Sequence, residues 1–278
     1  MKTQYEMMTK IGLKRTVNQD RITAHSNDRI AVFVVADGMG GHSDGEKASQ
    51  KVIDSIDRLW NKLSFCGGDI SGAVDMVISV LEQVNDEIYK YAEENKIICG
   101  TTASVLLICN EAFASINVGD SPIYCADRRR AIHLSTEHSY DVMSVKSGNK
   151  SKFDVCRRGR LVQAVGVKPK IYPSVVTGKI KENTLFFLCS DGISKYFPED
   201  EIKKKLKSAV RKKTNLEKLC IYFKDKVYEL GASDNLSEIA VHCETQSIST
   251  KRKLWTVALI SAAVFVLWII INMFIMQQ

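Results

Sequence analysis

The sequence predicts an α+β fold, a mainly antiparallel sheet with packed helices, followed by one C-terminal transmembrane helix. Three observations lead there. Strand-like runs arrive in consecutive groups with no helix between each pair, which disfavours a doubly wound parallel sheet. Four longer segments repeat apolar residues at helical spacing. The segment from Leu254 to Met276 carries no charged residue over 23 positions.

The elements follow in order. Residues 30–36 (IAVFVVA) form a β-branched apolar run, the pattern of a buried strand. Asp37 sits where that strand ends, and Gly38, Gly40, Gly41 and Gly45 follow as an expected loop. Residues 46–63 then place Ala48, Val52, Ile53, Ile56, Leu59 and Trp60 on one helical face. A second helix is expected over 70–94, then strands over 101–109, 112–118 and 123–126. Residues 139–160 are polar and poorly periodic and read as a mobile flap. A strand over 185–189, helices over 199–212 and 216–228, and a strand over 238–242 complete a domain of residues 1–243.

Residues 244–253 form a polar, then basic linker. The apolar run 254–276 would span roughly 34 Å as a helix at about 1.5 Å per residue, enough to cross a bilayer. Only Thr256, Ser261 and Asn272 interrupt it, so it lacks the polar stripe of a core helix. Lys251, Arg252 and Lys253 stand immediately before it, and the positive-inside tendency then puts the domain in the cytoplasm. A single-pass protein of the cell membrane is expected.

Composition narrows the function. The eight cysteines include no C-x-x-C pair, and several lie in apolar runs, as expected of reduced core residues and not of zinc ligands or disulfides. The formal net charge of +7 is concentrated in Arg128-Arg129-Arg130, in Arg157, Arg158 and Arg160, over 203–213, and before the apolar tail. Solvated surface accounts for such runs, and attraction to phosphorylated substrates or anionic headgroups is the sharper reading. Nothing resembles a nucleic-acid module, so no nucleic acid is expected as a partner. The glycines after Asp37 lack the spacing of a Walker loop or a dinucleotide fingerprint, which disfavours nucleotide binding.

What distinguishes the chain is a set of aspartates in one context. Asp37, Asp120, Asp191 and Asp234 each adjoin an expected strand, and Asp20 lies in GLKRTVNQDR beside Arg15. If those strand ends converge, the carboxylates cannot all stay ionised without cations. An all-oxygen cage with open water positions suits Mg²⁺ or Mn²⁺, and two such ions can present an activated water in line to a phosphoryl group. Arg15 can then grip phosphate oxygens bidentately.

In order, G-x-x-R-x-x-N-Q-D at 12–20, D-G-M-G-G at 37–41, G-T-T at 100–102, N-V-G-D-S at 117–121, S-D-G at 190–192 and D-N at 234–235 resemble the PPM (type 2C) family of metal-dependent serine/threonine protein phosphatases, in its bacterial form. The match covers about residues 5–245. The resemblance implies an antiparallel β-sandwich flanked by helices in four αββα layers, with two Mn²⁺ or Mg²⁺ ions in a cleft at one end and room for a third, weaker one. It assigns Asp37 and the Gly38 carbonyl to both metals, Asp191 and Asp234 to one of them, Asp20 to metal-bound water, Asp120 with Asp191 to the third site, and Arg15 to the substrate phosphate. Asp20, Asp37 and Arg15 would be the catalytic set, with hydroxide attacking phosphorus directly. Phosphorylated proteins, serine/threonine kinases and their substrates would be the partners.

Departures from the family are specific. Met39 stands where many eukaryotic members have histidine, a candidate general acid, and His42 three positions on is expected to have a surface or structural role. Gln19 replaces a frequent glutamate, and Glu137-His138 replaces a usual Asp-His. None removes a direct ligand. The competing class is a noncatalytic membrane adaptor that binds phosphoproteins, but degenerate members lose metal carboxylates and Asp37, Asp191 and Asp234 are all present. A haloacid-dehalogenase-type phosphatase needs D-x-D at a strand end, which D-G-M does not supply.

Overall fold

Two antiparallel sheets stack face to face, and helices cover both outer faces. The computed structural model describes residues 2–41, 44–65, 68–136 and 162–245. Its strands are β1 (Lys2–Lys10), β2 (Asp20–Ser26), β3 (Ile30–Gly40), β4 (Cys99–Thr101), β5 (Ala103–Cys109), β6 (Ala112–Val118), β7 (Ile123–Ala126), β8 (Ala131–His133), β9 (Ser174–Lys179), β10 (Thr184–Cys189) and β11 (Leu236–Glu244). Its helices are α1 (Asp44–Leu63), α2 (Ile70–Asn95), the single turn α3 (Asp191–Ser194), α4 (Glu199–Lys212) and α5 (Leu216–Glu229). One sheet has the order β1-β11-β10-β7-β8 and the other β2-β3-β5-β6-β9, with β4 pairing the far end of β3.

Alternation along the central strands builds the layers. In β3, Ile30, Val32, Val34 and Ala36 pack with α1 and α2, while Ala31, Phe33 and Val35 point into the space between the sheets. In β10, Leu185, Phe187 and Cys189 face α4 and α5, while Phe186 and Leu188 face the other sheet. Both faces of these strands are therefore dry, which is why they read as unbroken apolar runs despite antiparallel pairing. Each such side chain contributes about 1.5–3 kcal/mol through burial. Phe113 of β6 meets Phe186 of β10 edge to face across the gap, with ring centroids 5.0 Å apart.

The helices end as their sequences dictate. Asp69 caps α2 by accepting from the Ser71 and Gly72 amides, and Lys96 closes it in the left-handed conformation at φ 54°. The six expected strands and four expected helices are present. The structure adds β1, β2, β8, β9 and α3, whose polar or very short sequences hide them. β1 is an edge strand that pairs with β11 from Lys2↔Glu244 to Lys10↔Leu236.

Two expectations are corrected. The strand over 101–109 is divided at Thr102, because the Thr102 amide turns to the Asp37 carbonyl at 2.8 Å. The stretch Gly38–Gly40 is not a loop: β3 continues through Gly40 and pairs with β4, so the chain breaks only after it. Five of the eight cysteines (Cys99, Cys109, Cys189, Cys220 and Cys243) are buried free thiols, and Cys125 is half-buried and free.

The chain divides into two units, Met1–Glu244 and Thr245–Gln278. Glu244, the first residue of the expected linker, ends β11; from residue 246 the linker, and with it the apolar segment 254–276, lies outside the described residues, as do His42, the segment 139–160 and Glu137-His138. Among the described residues no helix is long and apolar enough to cross a membrane.

One residue of β11 opposes the rest of its strand. Glu238 is fully buried, and among the described residues neither carboxyl oxygen has a hydrogen-bond partner. Burial alone pushes its pKa well above the usual 4.5. Because the folded value exceeds the unfolded one, Glu238 supports the fold most below about pH 4.5, and that contribution is lost as pH rises above it. Glu238→Leu is expected to raise stability by about 1–3 kcal/mol at neutral pH by removing an unsatisfied polar group. It should also flatten the decline of Tm between acid and neutral pH. An unchanged Tm at both ends of that range would disprove this assignment.

Candidate metal centre

The site is assembled where loops and strand ends of both sheets meet. Asp20 opens β2 and Asp37 lies directly opposite it in β3, so their side chains leave the same face of the sheet. Asp37 is held by its backbone. Its amide donates to Thr102 Oγ1 at 2.9 Å, and its carbonyl accepts from the Thr102 amide and from Thr101 Oγ1 at 3.0 Å. Thr102 Oγ1 is itself 2.8 Å from Ser121 Oγ. The G-T-T motif thus anchors the central aspartate.

Gly38 must be glycine because the start of α1 lies against it. A Cβ there would stand 2.1 Å from the Gly45 carbonyl oxygen and 2.7 Å from that of Gln19. This close approach ties β3, the Gln19 backbone and the helix start together. Ser49 Oγ donates to the same Gln19 carbonyl at 2.6 Å.

Asp20 is buried, and its Oδ2 accepts from Ser190 Oγ at 2.8 Å. Ser190 is fixed in turn by Ser237, through a 3.0 Å bond from the Ser237 amide to its hydroxyl and a 2.9 Å bond from its own amide to the Ser237 carbonyl. The next residue, Asp191, starts α3 and forms an ion pair with Lys195 one turn later. Asp120 follows β6 in a turn secured by Asn117, which donates to the Gly119 carbonyl at 3.0 Å, and by Ser104, which donates to the Ser121 carbonyl.

Arg15 and Asp234 form a two-pronged pair, with Arg15 Nε 2.8 Å from Asp234 Oδ1 and Nη2 donating to Oδ2 at 2.9 Å. Asn235 locks this corner. Its side-chain amide donates to the Ile11 and Val17 carbonyls at 2.9 Å each, and its Oδ1 accepts from the Gln19 amide at 2.9 Å. The first and last motifs of the chain are therefore joined through one side chain.

The five aspartates bear on one another. Burial first, then Asp20, Asp191, Asp120 and Asp234, hold the Asp37 carboxyl well above its ordinary pKa. Burial pushes Asp20 to about 6, against hydrogen bonds from Ser190 and Ser237 and with the help of Asp191 and Asp234. Arg15 moves up, chiefly through its bond to Asp234, with Asp37 and Asp191 adding to it. Burial works to lower Lys195, yet Asp191, Asp234 and Asp120 together raise it. The expected convergence holds in this electrostatic sense. A finished cage does not: among the described residues no three His, Cys, Asp or Glu side chains stand close enough to hold an ion. Lys195 instead engages Asp191, and Arg15 engages Asp234.

The donors still fit a hard divalent cation. They are all oxygens, and among the described residues Asp20 Oδ1 is a buried acceptor with no hydrogen-bond partner. The profile of the family described as protein phosphatase 2C matches residues 13–219. The chain belongs to the protein phosphatase 2C family. Serine/threonine phosphatase stp of Listeria monocytogenes is 29% identical over 244 residues, covering 85% of this chain and 94% of that protein. Protein phosphatase PhpP of Streptococcus pneumoniae is 25% identical over 205 residues, 72% of this chain and 82% of PhpP. The serine/threonine phosphatase of S. agalactiae has the same fold at a TM-score of 0.76 and 22% identity, covering 86% of this chain and 99% of that one. The catalytic domain of the phosphatase PstP, in complex with two manganese ions, superposes at a TM-score of 0.71 and 21% identity, with 87% and 99% covered.

For a protein phosphatase 2C chain, the residues that reading the sequence missed are those that position others. Thr102, Ser190 and Asn235 lie inside recognised motifs, but their bonds reach 65, 170 and 216 residues away. Lys195 had a local signal, its i,i+4 spacing from Asp191. Thr102→Val keeps the shape and removes the hydroxyl that receives the Asp37 amide. It is expected to cost about 1–3 kcal/mol in chelator, measured by denaturant unfolding, and to weaken Mn²⁺ binding. Unchanged stability and Mn²⁺ affinity would show that the backbone of Asp37 is held without it.

Proposed function

We propose that this chain is a membrane-anchored protein serine/threonine phosphatase that hydrolyses phosphoserine and phosphothreonine monoesters with two Mn²⁺ or Mg²⁺ ions. The observation that carries it is the facing pair Asp20 and Asp37, with Asp120, Asp191 and Asp234 acting on Asp37 and with Arg15 paired to Asp234 and in the field of Asp37 and Asp191. The two manganese ions in PstP and the serine/threonine phosphatase relatives support this reading. Asp37, the Gly38 carbonyl, Asp191 and Asp234 would hold the pair, with Asp20 acting through coordinated water and Asp120 offering a weaker further position. Bound there, the cations supply Lewis acidity that activates water and screens phosphoryl charge.

The remaining steps belong to the chain itself. Arg15 exchanges the Asp234 carboxylate for the phosphate oxygens, keeping the same two-pronged geometry. In the metal-free chain burial raises the Asp20 carboxyl to about 6, and cations bound beside it would lower it again. The Ser190 bond keeps that carboxyl in place.

The anchor is proposed from the uncharged run 254–276 and the basic triplet Lys251-Arg252-Lys253 before it. It would hold the domain on the cytoplasmic side, facing serine/threonine kinases and their substrates. Purified protein is expected to hydrolyse p-nitrophenyl phosphate and a phosphothreonine peptide with Mn²⁺ and to lose that activity with EDTA or in Asp37→Asn. Arg15→Ala should lower kcat/KM by about 10–100-fold, through loss of a charge-assisted phosphate grip. A folded protein with no metal-dependent turnover would favour the phosphoprotein-binding adaptor. The full chain should sediment with membranes and resist alkaline carbonate, whereas a chain ending at residue 248 should remain in the supernatant. Equal behaviour of the two would exclude the anchor.

A further inference from the structure

We propose that Lys195 is a built-in counter-cation of this centre, paired with Asp191 and so standing in for a further divalent ion there. The proposal rests on the two-cation reading above. Asp191 and Lys195 are one helical turn apart, and the Lys195 amide donates to the Asp191 carbonyl at 3.0 Å, which fixes their spacing. The Lys195 ammonium pairs with Asp191 Oδ2. Asp234 and Asp120 bear on the same ammonium, so it stands in the field of three of the five aspartates.

A covalently tethered cation differs from a dissolved one in two ways. It is always present at the carboxylate, whatever the metal concentration, and it carries one charge and donates hydrogen bonds where Mn²⁺ carries two and accepts oxygen ligands. Asp191 is then partly neutralised without metal, and an ion arriving there must first displace the lysine. The side chain is 60% exposed, so that displacement needs no rearrangement of the core. Arg15 does not compete in the same place, because both prongs of its guanidinium are on Asp234.

The test is a Mn²⁺ titration of the full chain in detergent, followed by electron paramagnetic resonance of free Mn²⁺. The variants are Lys195→Met, Lys195→Arg and the double change Lys195→Met with Asp120→Asn. Thermal melts in chelator check that each is folded. Wild type and Lys195→Arg are expected to take up two ions per chain. Lys195→Met should take up one more, bound roughly tenfold or more tightly than any third event in wild type, because a unit charge beside the site has been removed. Adding Asp120→Asn should abolish the extra ion. Equal stoichiometry and affinity for wild type and Lys195→Met, both binding two ions, would overturn the proposal alone. Absence of Mn²⁺ binding in every folded variant would overturn the two-cation reading and this proposal with it.

Discussion

Mutual repulsion among five carboxylates is the constraint around which this domain is built. Asp20, Asp37, Asp120, Asp191 and Asp234 come from five separate points of the chain; Asp37 carries charge-charge cost from the other four, and Asp20 from Asp191 and Asp234. A fold that brings them together must hold them against that repulsion. It does so with fixed backbone at Asp37, hydrogen-bonded serines at Asp20, and the side chains of Lys195 and Arg15 at Asp191 and Asp234. The same repulsion is what gives a divalent ion its foothold.

The four layers supply the rigidity this needs. β3 and β10 are buried on both faces; β3 carries Asp37 within it, and β10 leads into Asp191. The glycine at position 38 lets α1 begin against the strand with no side chain between them, one residue from the Asp37 carboxylate. Asn235 closes the ring by holding Ile11, Val17 and Gln19 to the base of β11. Loss of one polar contact there loosens elements far apart in sequence.

How much of this was legible depended on the range of the interaction involved. The helices 46–63 and 199–212 announced themselves because 3.6-residue spacing is local. The runs at 30–36 and 185–189 did so because two-sided burial leaves no polar position. β1, reading KTQYEMMTK, was invisible because an edge strand needs only partial cover. The extension of β3 through Gly40 was hidden because glycines discourage a strand reading, and only contact with Gly45 and Thr101 explains them there. The aspartates were legible as a recurring strand-end motif. The ion pairs of Arg15 and Lys195 were not read from it, since pairing depends on which way a side chain turns.

The pairing of β1 with β11 has a consequence for how the domain can be held. β11 starts two residues after Asp234 and runs to Glu244, where Lys2 is its partner, so both chain ends of the unit lie at the end of β11 remote from Asp234. Over nine residues that separation is about 30 Å. A fusion partner joined at either end of this unit is therefore attached about that distance along β11 from Asp234.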